Sequence, residues 1–485
     1  MKNLKFRFLQ NKKIFIIFIF GILLRLFFLH VGAERYYGSL EASVSNGDTG
    51  SYVNSFLNLL HHGCYTFDFN EPDAAFGRLP GYPFFFGIHY LVFGPHYAMQ
   101  ATAYTQLLLD SSAILLVFSI LNRLVPQRPS AAYIGAVLYA TYPFSIIWIT
   151  IIGTESLAIF LILFWLNTLV HYKSTWIYSL CLGILCAVCF YVREYLGILL
   201  PISLFYLLIK HGFGSSVARR TFVRSGLLVS LGFLILYMWW PVRNYTSFHR
   251  VMFLKPTTAG YANYKSDLIG FRNWLHCWTN DEQTWLDSAV YAKQITYPRD
   301  IFASDSEQRA AIYATEQGRQ YGTSFQLYLT KRYGQPTYRT LAERRVQDER
   351  NAAIGATFDA LRMQYKAHFP FKYWLHTPML NIYKAFFKST KQQPGNQKNL
   401  IAGLFLYRSI LLLLGVLGLI VFRRQSDFWP VLMFWLFMYL FISFVMRNLE
   451  MRYLLQADVM MLIPASALLS TMIGRFYGSK PLQAL

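Results

Sequence analysis

The chain has 485 residues, of which 55% are hydrophobic and 14% charged, well below the roughly 25% charged residues of an ordinary soluble domain. Apolar residues recur in blocks of about twenty, enough to cross a hydrocarbon core, and this excludes a soluble globular protein. The net charge of +21 borders apolar runs and forms no Lys/Arg stripe with interleaved aromatics, which favours anionic lipid headgroups over nucleic acid as the partner.

In chain order, Lys2, Lys5, Arg7, Lys12 and Lys13 precede an apolar run to Val31. The run is about a full span long and lacks a small-residue cleavage site, so it reads as a retained anchor. Ten spans are expected in all: 13–31, 98–121, 131–150, 155–171, 176–192, 194–209, 225–242, 400–422, 428–446 and 454–473. The apolar segment 82–94 is too short to span and suits a re-entrant or interface-lying helix. With it kept outside, Arg123/Arg128, Lys173, Lys210/Arg219/Arg220/Arg224, Arg423/Arg424 and Arg475/Lys480 all fall on one side, as the positive-inside rule requires. The fold class is therefore an all-α polytopic membrane protein. An N-terminal membrane module (1–242) contains a first outer loop at 32–97, a mainly helical outer domain covers 243–399, and a C-terminal membrane module covers 400–485.

The outer domain carries 22 Lys and Arg against 12 Asp and Glu, a basic excess that long translocated domains tolerate. Within it 305–333 and 336–366 read as helices with polar faces. Residues 370–389 mix aromatics with Lys, as a helix lying at the membrane interface does, and 388–399 reads as a linker. There is no short-period repeat.

Polar residues gather at the outer ends of spans. Asp48 and Arg78 lie in the first loop, Glu155 opens the fourth span, and Arg193-Glu194 turn between the fifth and sixth. Arg243 closes the seventh, and Arg447, Glu450 and Arg452 form the turn before the last. Arginine outside runs against the positive-inside bias, and bidentate binding of a phosphate is one reason to place it there; snorkelling or pairing with local acids is the other. Arg25, inside the first span, is costly unless it reaches a polar partner. His61-His62-Gly63-Cys64 has no second cluster to complete a metal site. Cys64 and Cys277 both fall outside, where they could pair or remain thiols, and Cys181, Cys186 and Cys189 share one span as small apolar residues.

These residues, in this order, resemble the GT-C superfamily of integral-membrane glycosyltransferases, in the branch of protein O-mannosyltransferases and lipid A aminoarabinose transferases. The resemblance rests on the Arg-bearing first span, Asp48-Thr-Gly-Ser-Tyr52, Arg78-Leu-Pro-Gly-Tyr-Pro83, Thr154-Glu155, Arg193, Pro241-Val-Arg-Asn-Tyr245 and Met451-Arg-Tyr-Leu-Leu455. It covers roughly 1–250 and 400–473. It implies a polyprenyl-phosphate sugar donor, with Asp48 as the catalytic residue and Arg78 near the donor phosphate. By their place at the outer face, Glu155 is a second catalytic candidate and Arg193, Arg243 and Arg452 are further candidates for the donor phosphate. Tyr52, Tyr82 and Tyr453, inside the same motifs, are the substrate-binding candidates. The implied activity is inverting transfer of a monosaccharide to a glycan or lipid acceptor of lipopolysaccharide or O-antigen type, on the periplasmic face of a bacterial inner membrane. No cofactor is required, and a metal ion stays open. Protein mannosyltransferases often carry Asp-Glu where Asp48 is followed by Thr49, and the β-trefoil domain of the eukaryotic enzymes is absent; both weaken protein O-glycosylation as the alternative. A lipid-linked-sugar flippase or an oligosaccharide ligase would share the spans and the basic sites.

Overall fold

Apolar side chains cannot satisfy a backbone in lipid, so runs of this kind close their hydrogen bonds internally as helices. The computed structural model describes residues 11–213, 215–255, 265–330, 338–387 and 397–476, and among them there are helices and no strands. Seven helical stretches are long and apolar enough to cross a membrane: Lys12–Tyr37, Gly81–Leu124, Glu194–Gly212, Ser216–Phe248, Asn399–Val421, Ser426–Met446 and Met451–Phe476. Two more apolar helices, Thr154–Val170 and Trp176–Val192, fall just short of that length. The chain is thus an all-helical integral membrane protein.

The elements used below are α1 (Lys12–Phe27), α2 (Thr49–His62), α3 (Gly81–Leu124), α4 (Pro129–Ala140), α5 (Thr154–Val170), α6 (Trp176–Val192), α7 (Ser216–Tyr237), α8 (Trp239–Phe248), α9 (Ser266–Trp278), α10 (Asp305–Tyr321), α11 (Leu341–His368), α12 (Gln397–Val421) and α13 (Met451–Phe476).

One expectation is corrected. The apolar run 131–150 is not one helix. Helix α4 stops at Ala140, Pro143 opens a short helix to Ile146, and the chain runs irregularly through Ile149–Gly153. Proline cannot donate to a preceding turn, and irregular backbone at this depth survives because protein groups satisfy it. The buried Gln106 amide donates to the carbonyls of Ile149 and Ile151, at 2.9 Å each. Ile152 donates to Val44 and accepts from Thr49 Oγ1, both at 2.9 Å, so this segment forms a wall against the first loop. The segment 82–94, for its part, is the first limb of α3, set off from the second by Gly94 (φ 74°, ψ 171°) ahead of Pro95.

Two fully enclosed ion pairs tie the bundle together. Arg25 Nε meets Asp110 Oδ2 at 2.6 Å with both side chains 0% exposed, and Tyr139 OH donates to the other Asp110 oxygen at 2.5 Å. Arg25, singled out from the sequence, is thereby a link between α1, α3 and α4. Arg408 on α12 meets Asp458 on α13 at 2.7 Å, with Tyr439 OH donating to Asp458 Oδ1 at 3.0 Å.

The segment 265–373 has a core of its own, with Phe271 and Trp274 packed against Phe358 and Phe325 packed against Phe271. Helices form at Asp305–Tyr321, Thr323–Thr330 and Leu341–His368, in line with the sequence pattern. Arg447 fastens this unit to the membrane helices. In a left-handed conformation (φ 55°), it donates to the carbonyls of His276 (3.3 Å) and Tyr373 and lies over the Tyr373 ring at 3.7 Å. The helices Lys372–His376 and Thr377–Phe386 expose Trp374, Leu375, Met379 and Tyr383, and Phe371 just before them is exposed too, as an interface-lying segment should be. The linker expected at 388–399 lies mostly outside the described residues. Cys64 and Cys277 are free thiols, so the pairing left open by the sequence is not made.

Candidate active site

Asp48 sits at the start of α2 but does not cap it. Asn46 does, its Oδ1 accepting from the backbone N–H groups of Asp48 (2.9 Å) and Thr49 (3.1 Å), an Asx turn of the kind that Asn supports. The Asp48 carboxylate is therefore available for other partners. Arg78 Nη2 reaches Oδ1 at 2.7 Å and Arg452 Nη1 reaches Oδ2 at 2.6 Å, closing a contact across 404 residues.

Each guanidinium is itself oriented. Arg78 donates to Ser51 Oγ (2.6 Å) and Tyr52 OH (3.2 Å) and stacks over the Tyr52 ring at 4.4 Å. Arg452 donates to Glu450 Oε2 (2.5 Å) and lies 5.1 Å from the Tyr453 ring centroid. Burial alone would raise the pKa of Asp48, but the two guanidiniums outweigh it and hold the carboxyl well below the usual carboxylate range. With its side chain 30% exposed, Asp48 is reachable and ionised.

A second cluster adjoins the first. Arg193, in the turn after α6, pairs with Glu155 at the start of α5 and donates to Thr154 Oγ1 (2.6 Å) and Tyr195 OH (2.7 Å). Tyr195 passes the chain on to Gln456 Oε1 at 3.0 Å. Tyr453 joins the clusters, its ring lying 5.9 Å from Arg193 and 5.1 Å from Arg452. Tyr52 contacts Tyr82 edge-on at 5.1 Å, and Tyr82 donates to Gln106 at 2.7 Å. Burial raises the pKa of the Tyr52 hydroxyl, so it stays neutral while it accepts from Arg78.

Sequence explains the convergence locally. A Cβ at Gly81 would lie 2.6 Å from the backbone carbonyl of Tyr191, so only glycine lets the Arg78 turn press onto the end of α6, two residues before Arg193. Tyr65 OH fixes the same turn by donating to the Arg78 carbonyl at 2.9 Å.

Of the residues singled out from sequence, Asp48, Arg78, Arg452, Glu155, Arg193, Tyr52, Tyr82 and Tyr453 thus form one constellation. Arg243 is engaged elsewhere. It donates to the carbonyls of Tyr65 (2.8 Å) and Ala75 (3.0 Å) and lies among Tyr65, Trp240 and Phe248, which pins the first loop to α8. Asn46, Ser51, Tyr195 and Gln456 were not anticipated. Their signal was spacing: Gln456 follows Arg452 by four residues on one helix face, and Ser51 follows Asp48 by three. Among the described residues no three His, Cys, Asp or Glu side chains converge as a metal site.

No family model and no curated protein matches the chain. Solved structures do. The oligosaccharyltransferase AglB of Archaeoglobus fulgidus, in complex with an inhibitory peptide and dolichol-phosphate, matches over 98% of this chain at 14% identity and a TM-score of 0.51. The A. fulgidus oligosaccharyltransferase in complex with zinc and sulfate matches over 95% of the chain, also at 14% identity, with a TM-score of 0.50. The chain spans about half the length of these relatives, 53% and 49%. ArnT of Cupriavidus metallidurans, bound to undecaprenyl phosphate, matches at 14% identity over 93% of this chain and 77% of its own, with a TM-score of 0.36. What the likeness establishes is the fold alone, shared with the A. fulgidus oligosaccharyltransferase structures.

Proposed function

We propose that this protein is an inverting glycosyltransferase that moves one sugar from a polyprenyl-phosphate donor to a hydroxyl of a glycan or lipid acceptor of lipopolysaccharide or O-antigen type. The observation that carries the reading is a reachable carboxylate gripped by two guanidiniums, Arg78 and Arg452, with tyrosines on their flanks. Two oriented cations beside one carboxylate suit a reaction in which an anionic leaving group departs as a proton is removed. That the AglB structure of similar fold holds dolichol-phosphate supports a lipid phosphate as the anion.

The chemistry follows from the groups present. The acceptor oxygen attacks the anomeric carbon opposite the phosphate, forming a new C1–O bond while the C1–O bond to phosphate breaks. The electron pair leaves with the polyprenyl phosphate, and the acceptor proton passes to Asp48. At rest each Asp48 oxygen accepts from an arginine, which makes it a weak base. A donor phosphate competes for those same guanidiniums, and a carboxylate oxygen retains further lone pairs to accept the proton. Donor binding and activation of the base are therefore coupled. Glu155 keeps Arg193 in place beside Tyr453, a third cation facing the same region. Among the described residues no three His, Cys, Asp or Glu side chains converge there, and no step is routed through a metal ion. The periplasmic face of a bacterial inner membrane is where such an acceptor would be met.

A peptide acceptor with an oligosaccharide donor is the second reading, favoured by the peptide complex of AglB. Purified protein offered synthetic polyprenyl-phosphate monosaccharides and lipopolysaccharide fragments separates the two. Mass-shifted glycan with release of polyprenyl phosphate is expected. Transfer to peptides only, or from lipid-diphosphate oligosaccharides only, would overturn the first reading.

A further inference from the structure

We infer that the end of the bundle remote from Asp48 carries a built-in site for an anionic phospholipid, between α6 and α7. The two helices cross in near backbone contact. A Cβ on Gly183 would lie 1.9 Å from the Val229 carbonyl oxygen, and one on Gly232 would lie 2.2 Å from that of Leu180. Toward their N-terminal ends they part around a cavity of about 690 Å³, lined by Trp176, Arg219, Arg220, Val223, Arg224 and Leu227 among others. Trp176 begins α6 and Arg193 follows its end, so at 1.5 Å per residue the cavity lies roughly 25 Å from the catalytic constellation, about a bilayer core away.

Three features select the ligand. The guanidiniums of Arg219, Arg220 and Arg224 are exposed, and none makes an ion pair among the described residues. Asp427, the acid at this end of the bundle, is already held by Lys210 (2.6 Å) and Tyr206 (2.6 Å). Three uncompensated cations on two successive turns demand an anion, and arginine suits a phosphate in bidentate fashion. Below them the same helix face turns apolar and stays open: Leu227 is 67% exposed, Leu231 50% and Ile235 60%, each four residues after the last. A free phosphate would use the arginines and leave this stripe bare. A phospholipid uses both, with headgroup on the arginines and an acyl chain along Leu227, Leu231 and Ile235. Trp176, 56% exposed, takes the headgroup-level position that Trp favours.

Native mass spectrometry of the full-length protein in neutral detergent tests this with phosphatidylglycerol and phosphatidylcholine of identical chains. Phosphatidylglycerol should bind about tenfold better or more, since each basic residue near an anionic surface adds severalfold, and the preference should vanish in the R219Q/R220Q/R224Q variant. Equal binding of the two lipids, or a preference that persists in the variant, would overturn the site. So would displacement of phosphatidylglycerol by excess inorganic phosphate, which would mark a plain anion site. A second measurement needs no variant: photoactivatable phosphatidylglycerol should label the 216–235 peptide above all others, and even labelling of every span would refute the assignment.

Discussion

Removing Asp110 from its pair with Arg25 should destabilise the bundle far more than removing both partners. Both side chains are 0% exposed. In an Asp110→Ala variant the Arg25 guanidinium would keep only the carbonyls of Gly21 (3.1 Å) and Ala140 (3.0 Å), and the Tyr139 hydroxyl would lose its acceptor. A buried charge stripped of its partner costs about 3–5 kcal/mol, whereas replacing both members by apolar residues of similar volume is often neutral. The Arg25→Leu/Asp110→Leu double variant should therefore be close to wild type. Thermal unfolding of wild type, Arg25→Leu, Asp110→Leu and the double variant in one detergent, read as a double-mutant cycle, gives the coupling. A strongly lowered midpoint in each single variant and recovery in the double are expected. Additive losses, or an Asp110→Ala protein as stable as wild type, would refute the reasoning.

Gly81→Ala should cut transfer by at least about tenfold, because its Cβ meets the Tyr191 carbonyl and moves the Arg78 turn, and a 1 Å misplacement can cost about a hundredfold; steady-state kinetics on folded protein checks it. Arg243→Gln, which frees two loop carbonyls, should increase proteolysis within 65–76 while reducing turnover less than Arg78→Gln does. The pH profile should show no Asp48 limb near the ordinary value of 3.8 or above, because burial's upward push is outweighed by Arg78 and Arg452. Arg452→Gln removes one of those cations and should shift the acid limb upward, read from kcat/KM against pH.

How much of this was legible in the sequence depended on what kind of partner each residue found. Asp48, Glu155, Arg78, Arg193 and Arg452 were recognisable because each is charged and stands at the same end of an apolar run, so topology alone collects them. Arg243 and Arg447 have that same signature and yet bind carbonyls of Tyr65, Ala75, His276 and Tyr373. Carbonyls have no side-chain identity, and nothing in the residue string marks them as partners. The break after Ala140 was hidden for a similar reason. Hydropathy registers 131–150 as continuous, but whether Pro143 ends the helix or kinks it depends on a polar group arriving from another span, here Gln106. Asn46 was overlooked beside Asp48 because either side chain can cap a helix, and only the geometry separates the capping role from the exposed carboxylate.

The central claim is that Asp48 removes the acceptor proton at a lipid-phosphate site. Turnover of a synthetic polyprenyl-phosphate sugar by purified wild-type and Asp48→Asn protein, with donor binding measured on both, tests it most directly. The account predicts a loss of about 10²–10⁴ in kcat with donor binding retained. Equal turnover in the two proteins would contradict it.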